Sequence, residues 1–351
     1  MRRMSRAVPL LLVAGLVAAG CGGSTKTSSS RGSNAAGSLR LGYFANVTHA
    51  AAVVGVAQGY FQKELGPTHL STQIFKDGPT EVTALLSGSL DAAFVGPNPA
   101  INAYVKGDHG VRLIAGATLG GAALVVKKSI TSAAQLKGKT IATPQLGNTQ
   151  DVALRTWLNA NGHHVTVTGG DVNIAPTDNA TSLQLFQQGR IDGAWVPEPW
   201  VSRLVQQGGG HILVNEASLW PQGKFATTEL IVTTSYLAKH ADAVKALVHG
   251  ELDAIDFVNS DQAAAEQVVN SELNRLTGKA LPAAVIAASF KDITVTADPA
   301  ADTLQADADH AYAVGTLPKK ADLQGLVDLT LLNQLLTAAG KPALSPGNLG
   351  T

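Results

Sequence analysis

The chain has 351 residues, and its 26 lysines and arginines balance 26 aspartates and glutamates, with a single cysteine and 45% hydrophobic content. Zero net charge argues against a nucleic-acid partner and against strong steering of a multiply charged ligand. One cysteine excludes a disulfide framework, while the apolar fraction is ample for real cores.

The first twenty residues read as a secretory signal. Arg2, Arg3 and Arg6 give a positive start, and Val8 to Ala19 is an apolar run, short of the ~20 residues needed to span a bilayer. Val17-Ala18-Ala19-Gly20-Cys21 resembles a bacterial lipobox, with Ala18 where leucine is usual. Cys21 would then be diacylated and become the new N-terminus. Residues 21–38 are rich in Gly, Ser and Thr and have nothing to bury, so they read as a flexible tether with a reach of ~20–25 Å. No later segment is long enough to cross a membrane.

From residue 39 onward strands and helices alternate, which predicts two lobes built on mostly parallel sheets. Strands are expected at 39–44, 70–76 and 91–95, and helices at 50–64 and 79–86. A strand near 122–127 crosses to a second lobe, which spans 122–225. A return crossing is expected near 225–233, so that 39–121 and 226–351 form the first lobe. Amphipathic runs at 241–258, 261–276, 301–314 and 323–339 are expected to pack back onto it. Two crossings make a hinge.

An internal repeat supports two lobes of one plan. TEVTALLSGSLDAAFVGPNP (80–99) aligns without gaps with TSLQLFQQGRIDGAWVPEPW (181–200). Thr80 pairs with Thr181, Gly88 with Gly189 and Asp91 with Asp192, and Asp77 and Asp178 keep the same offset. The shared pattern is an Asp-led helix, a glycine C-cap and a buried strand ending in a proline turn.

Ligands of open α/β sheets lie off the carboxyl ends of strands, against helix N-termini. Three loops fit: Asn46 to His49, Gly96 to Pro99, and Gly147 to Thr149. Helix N-termini favour anions without a cationic side chain, and these loops carry no lysine. Ordinary capping by Asn148 or Thr149, supported by Asp151, is the alternative for the third loop. In VPEPW, Glu198 reads either as an N-cap before Pro199 or as a contact for a ligand amine or hydroxyl. Trp200 is either an apolar wall or core. Nucleophile-elbow, zinc-protease and P-loop motifs are missing. His163-His164 lies in a loop without obvious carboxylate or cysteine partners, and Asp307, Asp309 and His310 read as solvated. Neither a metal site nor a cofactor is expected.

FKDGPTEVTALLSGSLDAAFVGPNPA, GKTIATPQLGNTQDVALRTWL, GRIDGAWVPEPW and ATTELIVTTSYLAKH together resemble the sulfonate/nitrate/taurine family of ABC-importer substrate-binding lipoproteins. The resemblance implies a type II periplasmic-binding-protein fold and no enzymatic activity. It implies a monomer tethered by lipid to the outer face of the cell membrane, which hands a small organic anion to a permease and its ATPase. It also implies ligand contacts from Asn46, Thr48, His49, Pro97, Asn98, Gly147, Asn148, Thr149, Glu198, Trp200 and Thr228. An aliphatic sulfonate is the first expectation. Nitrate, bicarbonate, taurine and a thiamine pyrimidine are the alternatives. The pyrimidine synthase of the same fold is an enzyme with a cysteine cluster, which this chain lacks.

Overall fold

The computed structural model describes residues 37–351; the signal, Cys21 and all but the end of the tether lie outside them. Among the described residues the strands in chain order are β1 (Ser38–Phe44), β2 (His69–Phe75), β3 (Ala92–Val95), β4 (Val111–Gly120), β5 (Ala122–Val126), β6 (Thr140–Thr143), β7 (Val165–Thr166), β8 (Gly169–Gly170), β9 (Asn173–Pro176), β10 (Gly193–Pro197), β11 (His211–Asn215), β12 (Ala226–Thr233) and β13 (Ile293–Val295). They build a six-stranded sheet, β13-β4-β12-β3-β1-β2, a five-stranded sheet, β11-β5-β10-β6-β9, and the small hairpin β7-β8.

Both large sheets are mixed, which corrects the expectation of mostly parallel ones. In the first, β1 pairs in parallel with β2 and β3, while β12 is antiparallel to both β3 and β4. In the second, β6 is parallel to β9 and β10, while β5 is antiparallel to β10 and β11. The antiparallel members β5 and β12 each follow a crossing. A strand that enters from the neighbouring lobe arrives at the opposite end of the sheet and runs back against its neighbours.

The helices are α1 (Ala50–Ala57), α2 (Tyr60–Leu65), α3 (Gly78–Leu86), α4 (Pro97–Lys106), α5 (Thr149–Ala160), α6 (Asn179–Gln187), α7 (Trp200–Gln206), α8 (Thr234–Lys239), α9 (Ala241–Ser260), α10 (Gln262–Thr277), α11 (Ala283–Lys291), α12 (Leu304–Ala313) and α13 (Thr330–Ala338). The single helix expected over 50–64 is two, because Gly59 takes a left-handed φ of 73° between α1 and α2. Helices α9 and α10 pack on α1, as the amphipathic runs predicted.

Side-chain alternation makes the second lobe's core two-faced. Leu124, Val126, Ile141 and Trp195 pack with Leu154 and Leu158 of α5 on one side. Ala123, Val125, Ala142 and Val196 pack with Phe186 of α6 and Leu204 of α7 on the other. The repeat is equally physical. Asp77 and Asp178 cap α3 and α6 by accepting from Thr80 N at 2.9 Å and Thr181 N at 3.1 Å. Asp91 accepts from Arg40 N at 2.8 Å, and Asp192 from Thr140 N at 3.0 Å, so each aspartate pins the start of its own strand to the neighbouring strand.

The chain passes between the sheets at Gly120–Gly121, with φ of 77° and 75°. A Cβ at Gly120 would stand 2.8 Å from Asp292 O, so both the φ and the space demand glycine there. The return passage lies alongside: Gly120 N donates to Phe225 O at 3.0 Å, and Thr227 Oγ1 donates to Gly120 O.

Candidate functional site

The two sheets face each other across a cleft whose lining comes from strand ends. In the first lobe β1 delivers Phe44, and the tight turn Val47–His49 follows with Asn46, Thr48 and His49 all buried. Lys76 follows β2, Gly96 follows β3, and Thr227 comes from the hinge strand. The second lobe contributes Pro144, Asn148, Thr149 and Gln150 around the start of α5, Asn179 at the start of α6, and Pro197 at the end of β10. The space left between the two walls is small, ≈ 20 Å³.

The wall is polar, donor-rich and almost uncharged. Lys76 is its one charged residue, since no carboxylate lines it. His49 is 2% exposed, and burial draws its imidazole down to about 3, so it stays neutral. The amides of Thr149 and Gln150 open α5 and have no carbonyl one turn back to accept them.

The predicted residues divide into those on the wall and those behind it. Asn46, Thr48, His49, Asn148 and Thr149 line the cleft. Asn148 does not cap its own helix: its Oδ1 accepts from Gly78 N of the facing lobe at 3.0 Å, and its Nδ2 donates to Gln150 Oε1 at 2.9 Å. Gly147 stands outside the lining, its amide spent on Asp151 Oδ2 at 3.0 Å. Asp151 also accepts from Thr143 Oγ1 and Arg155 Nε at 3.0 Å each, which ties the loop down from beneath.

Pro97 and Asn98 lie beyond Gly96, and Asn98 Nδ2 turns away to Asp307 O at 3.1 Å. Glu198 is fully buried and serves as a cap and tie. Its carboxylate accepts from Ser202 N at 3.1 Å, Ser202 Oγ at 2.9 Å and Ser289 Oγ at 3.0 Å, and burial pushes it up to about 7. Helix α7 opens at Trp200 rather than at Pro199. Trp200 stands behind the wall and donates from Nε1 to Asn46 Oδ1 at 2.9 Å. Thr228 is buried beside Thr227, which is the hinge residue that reaches the cleft.

Lys76, Gln150, Asn179 and Thr227 were missed in the sequence, and Gly96 was read only as the start of its loop. Lys76 follows β2 directly and Asn179 opens the helix after β9, so the rule that ligands sit off parallel strand ends would have found them had it been applied to every strand. The three loops do lack lysine, and the cleft's cation, Lys76, comes from beyond them.

Two further expectations change. Asp307 is buried, because α12 is sandwiched against α4 and α5, and burial beside Glu216 pushes its carboxyl well up. His163 does have a carboxylate neighbour: Asp171 Oδ2 is 3.4 Å from Nδ1, brought there by the β7-β8 hairpin, and Nε2 meets Ala133 O at 2.8 Å. Among the described residues no cluster of three or more His, Cys, Asp or Glu could hold a metal ion, and no helix is long and apolar enough to cross a membrane.

Comparison with known proteins places this geometry. A family profile described as the NMT1-like family matches residues 33–271. The taurine-binding periplasmic protein of Escherichia coli K12 is 30% identical over 233 residues, covering 65% of this chain and 69% of that protein. Among solved structures, the alkanesulfonate-binding protein SsuA from Xanthomonas axonopodis pv. citri, bound to MOPS, superposes with a TM-score of 0.68 at 23% identity, over 81% of this chain and 96% of that one. The periplasmic nitrate-binding protein NrtA from Synechocystis PCC 6803 superposes at 0.75 with 18% identity, over 88% of this chain and 90% of that one. The fold is that of the periplasmic binding proteins, with two α/β lobes.

Proposed function

The chain belongs to the NMT1-like family, and on that premise we propose that it is the extracytoplasmic substrate-binding component of an ABC importer, closing its lobes on a small organic anion, foremost an aliphatic sulfonate. The observation that carries this reading is the lining itself: neutral donors from both lobes, one lysine and no carboxylate. Only the closed form lets both lobes reach the ligand, so binding favours closure, and a permease reads the closed face.

Three apolar lining residues, Phe44, Pro144 and Pro197, suit an alkyl tail better than a bare inorganic anion would require. Taurine is the second reading, supported by the taurine-binding relative. An ammonium needs an acceptor, however, and the nearby Glu198 carboxylate is already held by Ser202 and Ser289. A lipid on Cys21 and the tether over 21–38 would keep a monomer within ~20–25 Å of the membrane.

Thermal unfolding of the whole chain in detergent, with alkanesulfonates, taurine, sulfate, nitrate, bicarbonate and a thiamine pyrimidine, tests the assignment. A ligand at about 100 times its Kd stabilises by about 2.7 kcal/mol. An alkanesulfonate is expected to give the largest upward shift. A shift with nitrate, taurine or the pyrimidine and none with any sulfonate would overturn the choice of ligand. Replacing Cys21 with serine is expected to release the protein from the membrane fraction.

A further inference from the structure

We infer that the cleft recognises its ligand with two separable devices: His49 as an uncharged hydrogen-bond donor of fixed direction, and Lys76 at the rim as the single source of charge. This rests on the reading of the cleft as the ligand site.

The His49 half follows from one contact. Phe44 N lies 3.2 Å from His49 Nδ1. A backbone amide can only donate, so Nδ1 is the bare nitrogen and the proton sits on Nε2. The ring stacks on Phe44 with centroids 4.4 Å apart and planes at 28°, which fixes its direction. The turn that carries it packs against α1, β4, β12 and α11. The titratable groups on those elements are Arg112, Glu229 and Lys291, with Asp292 next to α11 and Lys76 on the cleft side. None of them hydrogen-bonds the ring, and burial alone accounts for its neutrality. The remaining polar atom, Nε2–H, can offer only a donor, so the ligand atom that meets it must be an acceptor.

Lys76 is the complement. It is exposed, and among the described residues no carboxylate lies within 4 Å of its ammonium. Asp178 of the facing lobe feels its charge but is occupied as the cap of α6, accepting from Thr181 N. Lys76 can therefore turn to an anion without breaking an ion pair. Its contribution, exposed at a rim, is open to screening by salt, whereas that of His49 is not.

The test uses the whole chain, with ethanesulfonate as probe. Nitrogen-15 NMR of the histidines is expected to show His49 as the Nε2–H tautomer from about pH 5 to about pH 8. Affinity should stay within about twofold over that range. His49→Gln, whose amide can take over the donor, should keep affinity within about tenfold, and His49→Leu should lose more than about tenfold. Lys76→Gln should weaken binding about tenfold at low salt and flatten its salt dependence, with Lys76→Arg restoring both.

A doubly protonated His49 ring in that pH range, or affinity that climbs as pH falls below about 6.5, overturns the neutral-donor assignment. Unchanged affinity and salt dependence in Lys76→Gln overturns the charge assignment. If the wild-type chain binds no anion, the functional reading fails and Lys76's role fails with it. The tautomer is read by NMR in the free protein, so it is judged independently.

Discussion

Trp200 and Asn46 belong to opposite lobes, yet the indole Nε1 donates to the asparagine Oδ1 at 2.9 Å. Asn148 makes the matching bridge in the other direction, accepting from Gly78 N at 3.0 Å. The two asparagines, both part of the cleft lining, therefore hold the lobes together directly. Trp200→Phe keeps the ring and deletes the donor. A hydrogen bond of this kind contributes about 0.5–1.5 kcal/mol, so affinity for ethanesulfonate should fall roughly 2–12-fold by calorimetric titration. Unchanged affinity would show that the bridge has no part in closure.

Gly96 tests closure by volume. Its φ of −74° is open to any residue, but an added Cβ would stand 2.5 Å from Thr149 Oγ1 of the facing lobe and 3.3 Å from Thr227 O. Gly96→Ala is thus expected to leave the unfolding midpoint of the free protein nearly unchanged while weakening ligand binding at least about tenfold. Loss of stability and of binding in step would mean that the glycine serves folding and not closure.

Asp151 and Arg155 form an ion pair under the ligand loop with side chains only 0% and 3% exposed. Arg155→Met strands a buried carboxylate, which costs about 3–5 kcal/mol. Adding Asp151→Asn should recover part of that loss, as measured by urea unfolding. If the double variant is no better than the single one, the cost comes from lost packing instead.

Buried acids make stability depend on pH. Among the described residues neither oxygen of Glu81, Glu229 or Glu251 has a hydrogen-bond partner, and burial raises all three well above the ordinary glutamate range. The folded chain keeps these protons where the unfolded chain releases them. Their contribution is complete below about 4.5 and is lost as pH rises toward their folded values. His49 acts with the opposite sign: its folded form resists a proton that the unfolded chain accepts near 6.5, so it costs stability as pH falls below that. Glu229→Gln should therefore raise the unfolding midpoint more at about pH 8 than at about pH 5. An equal rise at both would place the carboxylate's charge elsewhere.

Much of this molecule was legible in its residues because the relevant physics is local. Asp77 and Asp178 cap helices, Gly88 and Gly189 take left-handed φ of 77° and 73° at helix ends, and Asp91 and Asp192 open buried strands. Each of these depends on neighbours within a few positions, so the 101-residue repeat and the α/β class could be read directly. The loops holding Asn46, His49 and Asn148 could be found for the same reason, since a strand end followed by a helix start is a sequence pattern. The direction in which each side chain points was decided by the fold. Asn148 reaches Gly78 instead of capping its own helix, Asn98 turns to α12, Glu198 is claimed by Ser289, and Asp307 is buried although its helix reads as polar. Lys76 reached the cleft because β2 ends beside it. Hydrogen-bond partners across a hinge are distant in sequence, and only the packing of two lobes brings them within 3 Å.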